Sequence, residues 1–404
     1  MNLLVALPVS HPAIESVEGV LSGEEPCSGT NGSFIRMAQL VASLGHRVVL
    51  TGSVAHGSGA VQVAPHSGVE PRAFDAIVAH QSHWQRDDGN FTFGQEALKR
   101  TRLWLHNASA WRVVGTFLRA GGHSIVCPTE FHANLYRALA GFHTRVAVAF
   151  NTCCSAFKPD WARSPQGNRL LFIGAITPTK GFRELMAVWS ALTRRLEDVE
   201  LYVAGSITLH RTMDGSGAGP GVADADFESK EIVPWIESLQ QKHRPHFLGA
   251  IAPLQLRDEI LRSRAVIVNP SWQAFETFCV AAVEAQVCGR PVFSVARGGL
   301  LDTVYRSPRL DTLAGTPGSE PLAGCIEKGF RDPRLLSQIG AEASEWCQAR
   351  YNDQVIAAQW KQILDPELKW QRHRLLGVSW RDKFCDLLRL TGLGLTFERL
   401  ALKR

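Results

Sequence analysis

Residues 265–303 constrain the fold more than any other stretch of this chain. They read AVIVNP, then SWQAFETFCVAAVEAQVCG, then RPVFSVARGGLLDT. The β-branched run 265–270, ended by Pro270, predicts a buried strand, and 271–274 a turn. Apolar residues at Val280, Val283 and Val287 predict a helix over 276–287, closed by Gly289. A second buried strand follows at 291–295. The Gly298-Gly299 pair then lets the backbone approach a neighbour closely. Strand, loop, helix, strand and glycine loop make half of a nucleotide-binding α/β layer, whose ligands sit outside the carboxyl ends of the strands. Glu276 falls at that edge. Glu284, eight residues or a little over two turns on, projects from roughly the same side. Ionised carboxylates only accept hydrogen bonds, so a pair of them suits the hydroxyls of a sugar or ribose, at roughly 1.5–3 kcal/mol per bond.

Glu276 and Glu284 stand in a wider frame: Asn269-Pro270-Ser271 before them, Cys288-Gly289-Arg290-Pro291-Val292 and Gly298-Gly299 after them. The whole frame resembles the donor-site signature of the family 4 retaining glycosyltransferases. That resemblance implies the GT-B fold: α/β, two Rossmann-like domains facing a central cleft. It also implies transfer of a sugar from a nucleotide diphosphate sugar to a hydroxyl acceptor with retention of configuration. Two departures are visible. Thr277 and Cys279 flank Phe278 where the family usually has glycines.

Further matches lie along the chain. A first strand is expected at 1–8, then a long loop over 9–27. The loop 28–33 (SGTNGS) opens a helix over 34–44, an arrangement suited to anions because free N–H groups and the helix dipole both favour phosphate. The resemblance implies that Gly32 in this loop meets the donor diphosphate. Strands are expected at 74–80, 102–106, 124–128 and 145–150. His106 ends the second of these, and the resemblance places such a His on the acceptor side. Residues 151–165 read as a linker. The strand 169–174 ends at Gly174, and Lys180-Gly181 then starts a helix. Lys180 supplies a point charge for a diphosphate. The family usually carries an Arg as well, and Ala175 occupies its position.

The resemblance thus implies a catalytic set of Glu276, Lys180 and His106. The implied donor site is Gly32, Gly174, Lys180, Glu276, Thr277, Phe278, Glu284, Gly298 and Gly299. The co-substrate is a UDP- or GDP-sugar, with no metal. The expected divisions are 1–150 (acceptor side), 166–350 (nucleotide-sugar side) and 351–404 (helices and tail). Two other readings of the same fold remain: a non-catalytic protein that binds a nucleotide sugar, and a nucleotide-sugar epimerase.

Composition narrows the setting. The net charge is +5, and residues 367–404 alone hold nine Lys/Arg against four Asp/Glu. The rest of the chain is therefore balanced, which excludes a nucleic-acid groove. Phe384, Leu387 and Leu388 among these basic residues suit an amphipathic helix on an anionic membrane, or a helix packed on the body of the protein. Nine scattered Cys without a C-x-x-C pair fit reduced thiols in the cytosol. No apolar run is long enough to span a bilayer, which takes about 20 residues. The expectation is a cytoplasmic protein, with peripheral contact at the inner membrane face if the tail binds lipid. The expected acceptor is a cell-surface polysaccharide or glycolipid. The GSGAGPG string at 215–221 neither follows a strand nor opens a helix, so it is no dinucleotide fingerprint. Asp224-Ala225-Asp226 is not at a strand end and is discounted as a metal site.

Overall fold

The computed structural model describes residues 1–9, 13–84, 91–137, 145–206, 221–274 and 276–365. The basic tail, Arg86, Asp87, Asp88 and the glycine string as far as Pro220 lie outside the described residues. The chain divides into two compact units. One takes in residues 33–151 with the chain start and the segment from Asp353 onward; the other takes in 152–352 with the segment before Ser33.

The parallel sheet of the first unit has seven strands: β1 (Asn2–Ala6), β2 (Arg47–Thr51), β3 (Val61–Ala64), β4 (Ala76–His80), β5 (Thr101–Trp104), β6 (Ser124–Cys127) and β7 (Val146–Val148). Their order in the sheet is β3-β2-β1-β4-β5-β6-β7, with every pairing parallel. The second unit holds β8 (Asn168–Ile173), β9 (Val199–Ala204), β10 (His246–Gly249), β11 (Ala265–Ile267), β12 (Val292–Val295) and β13 (Leu313–Ala314). Their order is β10-β9-β8-β11-β12-β13, again parallel throughout. Parallel strands are covered by helices on both faces, so they read as near-continuous apolar runs. Leu170, Leu171 and Phe172 of β8 and Ala265, Val266 and Ile267 of β11 are all fully buried.

Both sheets are doubly wound. The chain reverses its direction of travel between β1 and β4 in the first unit and between β8 and β11 in the second. At such a switch point the connecting segments leave in opposite directions, and a crevice opens beyond the carboxyl ends. In the second unit the two segments that leave there carry Lys180 and Glu276.

The loop expected over 9–27 is partly ordered secondary structure. Ile14–Ser16 is a strand and Val17–Ser22 a helix. Ser16 caps the helix by accepting from the Gly19 N–H, and Gly23, at φ 84°, closes it. Six residues are too few for helical periodicity to show. Glu25 accepts from the Glu15 and Ser16 N–H groups at 2.6 and 3.0 Å, so it serves the local backbone. The segment belongs with the second unit: the Leu254 N–H donates to the Gly23 carbonyl and the Cys154 thiol to the Leu21 carbonyl.

The helix Asp353–Leu364 packs into the first unit. Trp360, fully buried, meets Trp104 edge to face at 4.9 Å. Arg102 donates through Nε to the Ile363 carbonyl, and burial pushes its guanidinium down to about 10. Trp360→Ala removes one of the two indoles of this contact and is expected to destabilise the first unit by about 3–5 kcal/mol. A urea midpoint equal to that of the wild type would contradict this packing.

Candidate functional site

The site is built where β8 and β11 end. After β8 the chain passes through Gly174 and turns at Thr177, whose Oγ1 accepts from the Lys180 N–H at 3.2 Å. Pro178–Lys180 is a single 3-10 turn and Gly181 follows at φ 78°. Gly181 has no room for a side chain: a Cβ there would lie 2.7–2.8 Å from Pro270 and Ser271. The Lys180 loop therefore rests directly on the segment that leaves β11.

That segment carries Asn269, Pro270, Ser271 and Glu276. Lys180 Nζ donates to Glu276 Oε1 at 2.8 Å and to Oε2 at 3.0 Å. Asn269 Nδ2 donates to the same Oε1 at 2.8 Å. The Glu276 side chain is 12 % exposed and that of Lys180 40 %, so the lysine side chain is the more open of the two. Desolvation works against the Lys180 charge. The Glu276 carboxylate and its hydrogen bonds outweigh it and hold the ammonium above the ordinary lysine value.

The helix begins at Val280, not at Glu276. The Glu276 carbonyl accepts the Gly299 N–H at 2.6 Å, so the backbone at 276 is held by the glycine loop instead of by a helical partner. A Cβ on Gly299 would lie 2.4 Å from the Thr277 oxygen, and Gly298 stands at φ 61°. The pair is thus needed for this close approach. Eight residues therefore do not amount to two turns of one helix between Glu276 and Glu284. The two carboxylates nevertheless serve one neighbourhood. The Cys279 thiol is pushed up by burial, and Glu276, Lys180 and Glu284 all act on it electrostatically. Glu284 is itself 8 % exposed, in the second turn of the Val280–Val287 helix.

The other residues singled out from the sequence occupy varied places. Gly174 lies at the carboxyl edge, its N–H donating to the Ala204 carbonyl; a Cβ on the neighbouring Gly205 would lie 2.0 Å from the Gly174 oxygen. Thr277 and Phe278 are buried, and the Phe278 ring meets Tyr351 edge to face at 5.5 Å. Gly32 is not in a loop. The helix starts at Gly29, and the Gly32 N–H donates to the Ser28 carbonyl at 2.9 Å. Gly29 lies beside Val280, since a Cβ there would be 3.8 Å from Val280 Cγ2. His106 is in the first unit, buried just beyond β5, with its ring 5.1 Å from Phe34 and 4.4 Å from Trp104. Asp224 caps a short helix by accepting from the Asp226 N–H, and Asp226 pairs with Lys230. Among the described residues no group of three or more His, Cys, Asp or Glu is placed to hold a metal ion. No helix among them is long and apolar enough to cross a membrane.

The sequence alone assigns no role to Asn269 or to Glu184. Ser271 Oγ donates to Glu184 Oε1 at 3.1 Å and accepts from the Gln273 N–H. Glu184 thereby fixes the turn that leads to Glu276. The available signal is Asn269 itself, a turn-forming residue directly after a β-branched run and before Pro.

Comparison with known proteins agrees with this architecture. Residues 155–346 match the family described as Glycosyl transferases group 1. The D-inositol 3-phosphate glycosyltransferase of Rhodococcus opacus (strain B4) is 28% identical over 179 residues, 44% of this chain and 36% of that protein. The chain thus spans about a third of the length of such curated relatives. The lipopolysaccharide 1,2-N-acetylglucosaminetransferase of Salmonella typhimurium is 24% identical over 59% of this chain and 61% of its own length. The crystal structure of Anabaena Alr3699/HepE in complex with UDP and glucose superimposes with a TM-score of 0.62 at 15% identity, covering 90% of this chain and 99% of that one.

The Lys180 contribution to stability has a defined pH window. A cation whose folded pKa is raised stabilises below its unfolded pKa and ceases to do so as the pH rises through the folded value. The gap in urea midpoint between wild type and Lys180→Met is expected to be steady at neutral pH and to shrink only above the ordinary value of 10.5. A gap that vanishes near neutrality would contradict the ion pair. The chain has the GT-B fold, and its second unit carries the glycosyl transferases group 1 match.

Proposed function

We propose that the protein is a retaining glycosyltransferase that moves a hexose from a nucleotide diphosphate sugar to a hydroxyl acceptor. The observation that carries the reading is the meeting of Lys180 and Glu276, from the two strands that flank the switch point, at 2.8 Å. An ammonium group and a carboxylate at one strand edge match the two halves of such a donor: anionic diphosphate and neutral polyol.

In this reading Glu284 accepts ribose hydroxyls and Glu276 accepts hydroxyls of the transferred sugar. Lys180 stabilises the charge that builds on the leaving diphosphate, an interaction that strengthens as the glycosidic bond breaks. The helix start at Ser28–Asn31, rather than the Gly32 N–H, is the part of that segment suited to the diphosphate. Thr277 serves through its backbone and Phe278 through its packing on Tyr351. Gly174, Gly298 and Gly299 keep the strand edge open to close approach. His106 lines the acceptor side. The chemistry asks for no metal, because an ammonium group and helix N–H groups supply the positive charge. UDP is the nucleotide in the Anabaena structure, which favours a UDP-sugar donor over a GDP-sugar. The lipopolysaccharide transferase supports an acceptor of the cell-surface polysaccharide or glycolipid class. A cytoplasmic protein, with its basic tail at the inner membrane face, fits such an acceptor.

A second reading has its own support. With Ala175 in place of an Arg, the loop 174–181 carries one cation, Lys180. That suits a protein that binds a nucleotide sugar without turning it over. A panel of UDP- and GDP-sugars separates the two. A transferase releases nucleoside diphosphate; a binding protein shows a thermal shift and no release. For the transferase, Glu276→Ala is expected to cut turnover at least about tenfold, or ~1.4 kcal/mol of barrier. Unchanged turnover in that variant would remove Glu276 from the site.

A further inference from the structure

The geometry points to Asn269 as the positioning residue that keeps Glu276 aimed once a ligand has drawn Lys180 away. The inference rests on the proposed donor site. Asn269 stands two residues beyond β11 and is 4 % exposed. Its φ of 21° is the one positive value at a non-glycine position among the described residues. Asn tolerates this region better than most residues because its short amide can bond locally.

Every polar group of the Asn269 side chain has a defined task. Oδ1 accepts the Ser271 N–H at 3.2 Å, and Nδ2 donates to Glu276 Oε1 at 2.8 Å. These two contacts fix which way the amide faces, since the reverse orientation would set its oxygen against a carboxylate. The Asn269 carbonyl accepts from Ser294 Oγ at 3.0 Å, on the adjacent strand β12. Ser271 is held in turn by Glu184. The amide is therefore anchored from two sides before it reaches Glu276.

Lys180 is anchored differently. Its side chain is 40 % exposed at the end of a flexible stem. A diphosphate competes with Glu276 for its ammonium group. When that competition succeeds, Glu276 loses two hydrogen bonds and keeps the one from Asn269. The Asn269 amide occupies Oε1 and restrains the carboxylate, while Oε2, given up by Lys180, is left to accept from a sugar hydroxyl. In this role Asn269 needs no contact of its own with the sugar or the phosphate. It acts through Glu276.

Backbone and side-chain roles separate cleanly here. Asn269→Gly keeps the positive φ at no steric cost and deletes the amide. Asn269→Asp keeps the shape and places a second carboxyl against Glu276. The charged and titratable groups around Glu276 are Lys180 from the loop after β8, Cys279 ahead of the Val280–Val287 helix and Glu284 on it. Glu184 reaches Asn269 only through Ser271. Among these the introduced carboxyl is the group that can exchange a proton with Glu276, because two adjacent carboxylates cannot both ionise freely.

The experiment is steady-state turnover of the full chain with the nucleotide sugar that wild type releases best, at several pH values. Asn269→Gly is expected to lower kcat at least about tenfold with a smaller change in donor KM. For Asn269→Asp, the rate relative to wild type is expected to rise as the pH falls from about 8 to about 6, where the shared proton restores a donor to Glu276. Wild-type kcat in Asn269→Gly, or a flat Asn269→Asp ratio across that range, overturns the positioning role and leaves the proposed function standing. A wild type that turns over none of the donors overturns the proposed function, and this role with it.

Discussion

The Lys180–Glu276 pair is the interaction on which the site depends. It exists because two neighbouring parallel strands send their connections in opposite directions and their loops then meet above the sheet edge. Gly181 lets the loops touch by leaving space for Pro270 and Ser271, and Gly299 does the same for Thr277. Neither contact involves a side chain of its own. They are backbone approaches, and they place one ammonium group and one carboxylate within 3.0 Å. Without a ligand the two charges satisfy each other. On the proposed reading, a dianionic diphosphate with a polyol attached offers each of them a replacement partner, so that binding would exchange one set of charge-assisted bonds for another and strand neither ion.

The same reliance on bare backbone explains the glycines at the strand ends. Gly174 and Gly205 press together where β8 and β9 finish, and the Gly205 N–H donates to the Gly249 carbonyl at the end of β10. Three adjacent strands thus end in residues without side chains. Beyond β11 the chain instead carries polar side chains, Asn269 and Glu276.

Much of this is legible in the sequence, for identifiable reasons. The apolar runs of β8, β11 and β12 announce buried parallel strands, and Glu276, Lys180 and the Gly298-Gly299 pair sit where their frame puts them. Long-range contacts are not legible. Helical spacing after Glu276 extends the expected helix back to it, yet the Gly299 N–H takes the Glu276 carbonyl and delays the helix to Val280. Gly32 has the sequence setting of a loop glycine, but Ser28 starts the helix earlier. The six-residue helix Val17–Ser22 carries cap signals at Ser16 and Gly23 and too little length for periodicity. Asn269 reads as punctuation between strand and turn. Its second contact, to a carboxylate seven residues away, follows only from a backbone angle that no pattern of residue types encodes.

The most direct measurement is a crystal of the full chain soaked with UDP or GDP. The expected result is a diphosphate at the carboxyl ends of β8 and β11, with a phosphate oxygen on Lys180 Nζ and Glu276 still bonded to Asn269. A diphosphate bound elsewhere, or one bound there while Lys180 still pairs with Glu276 and makes no phosphate contact, would contradict it.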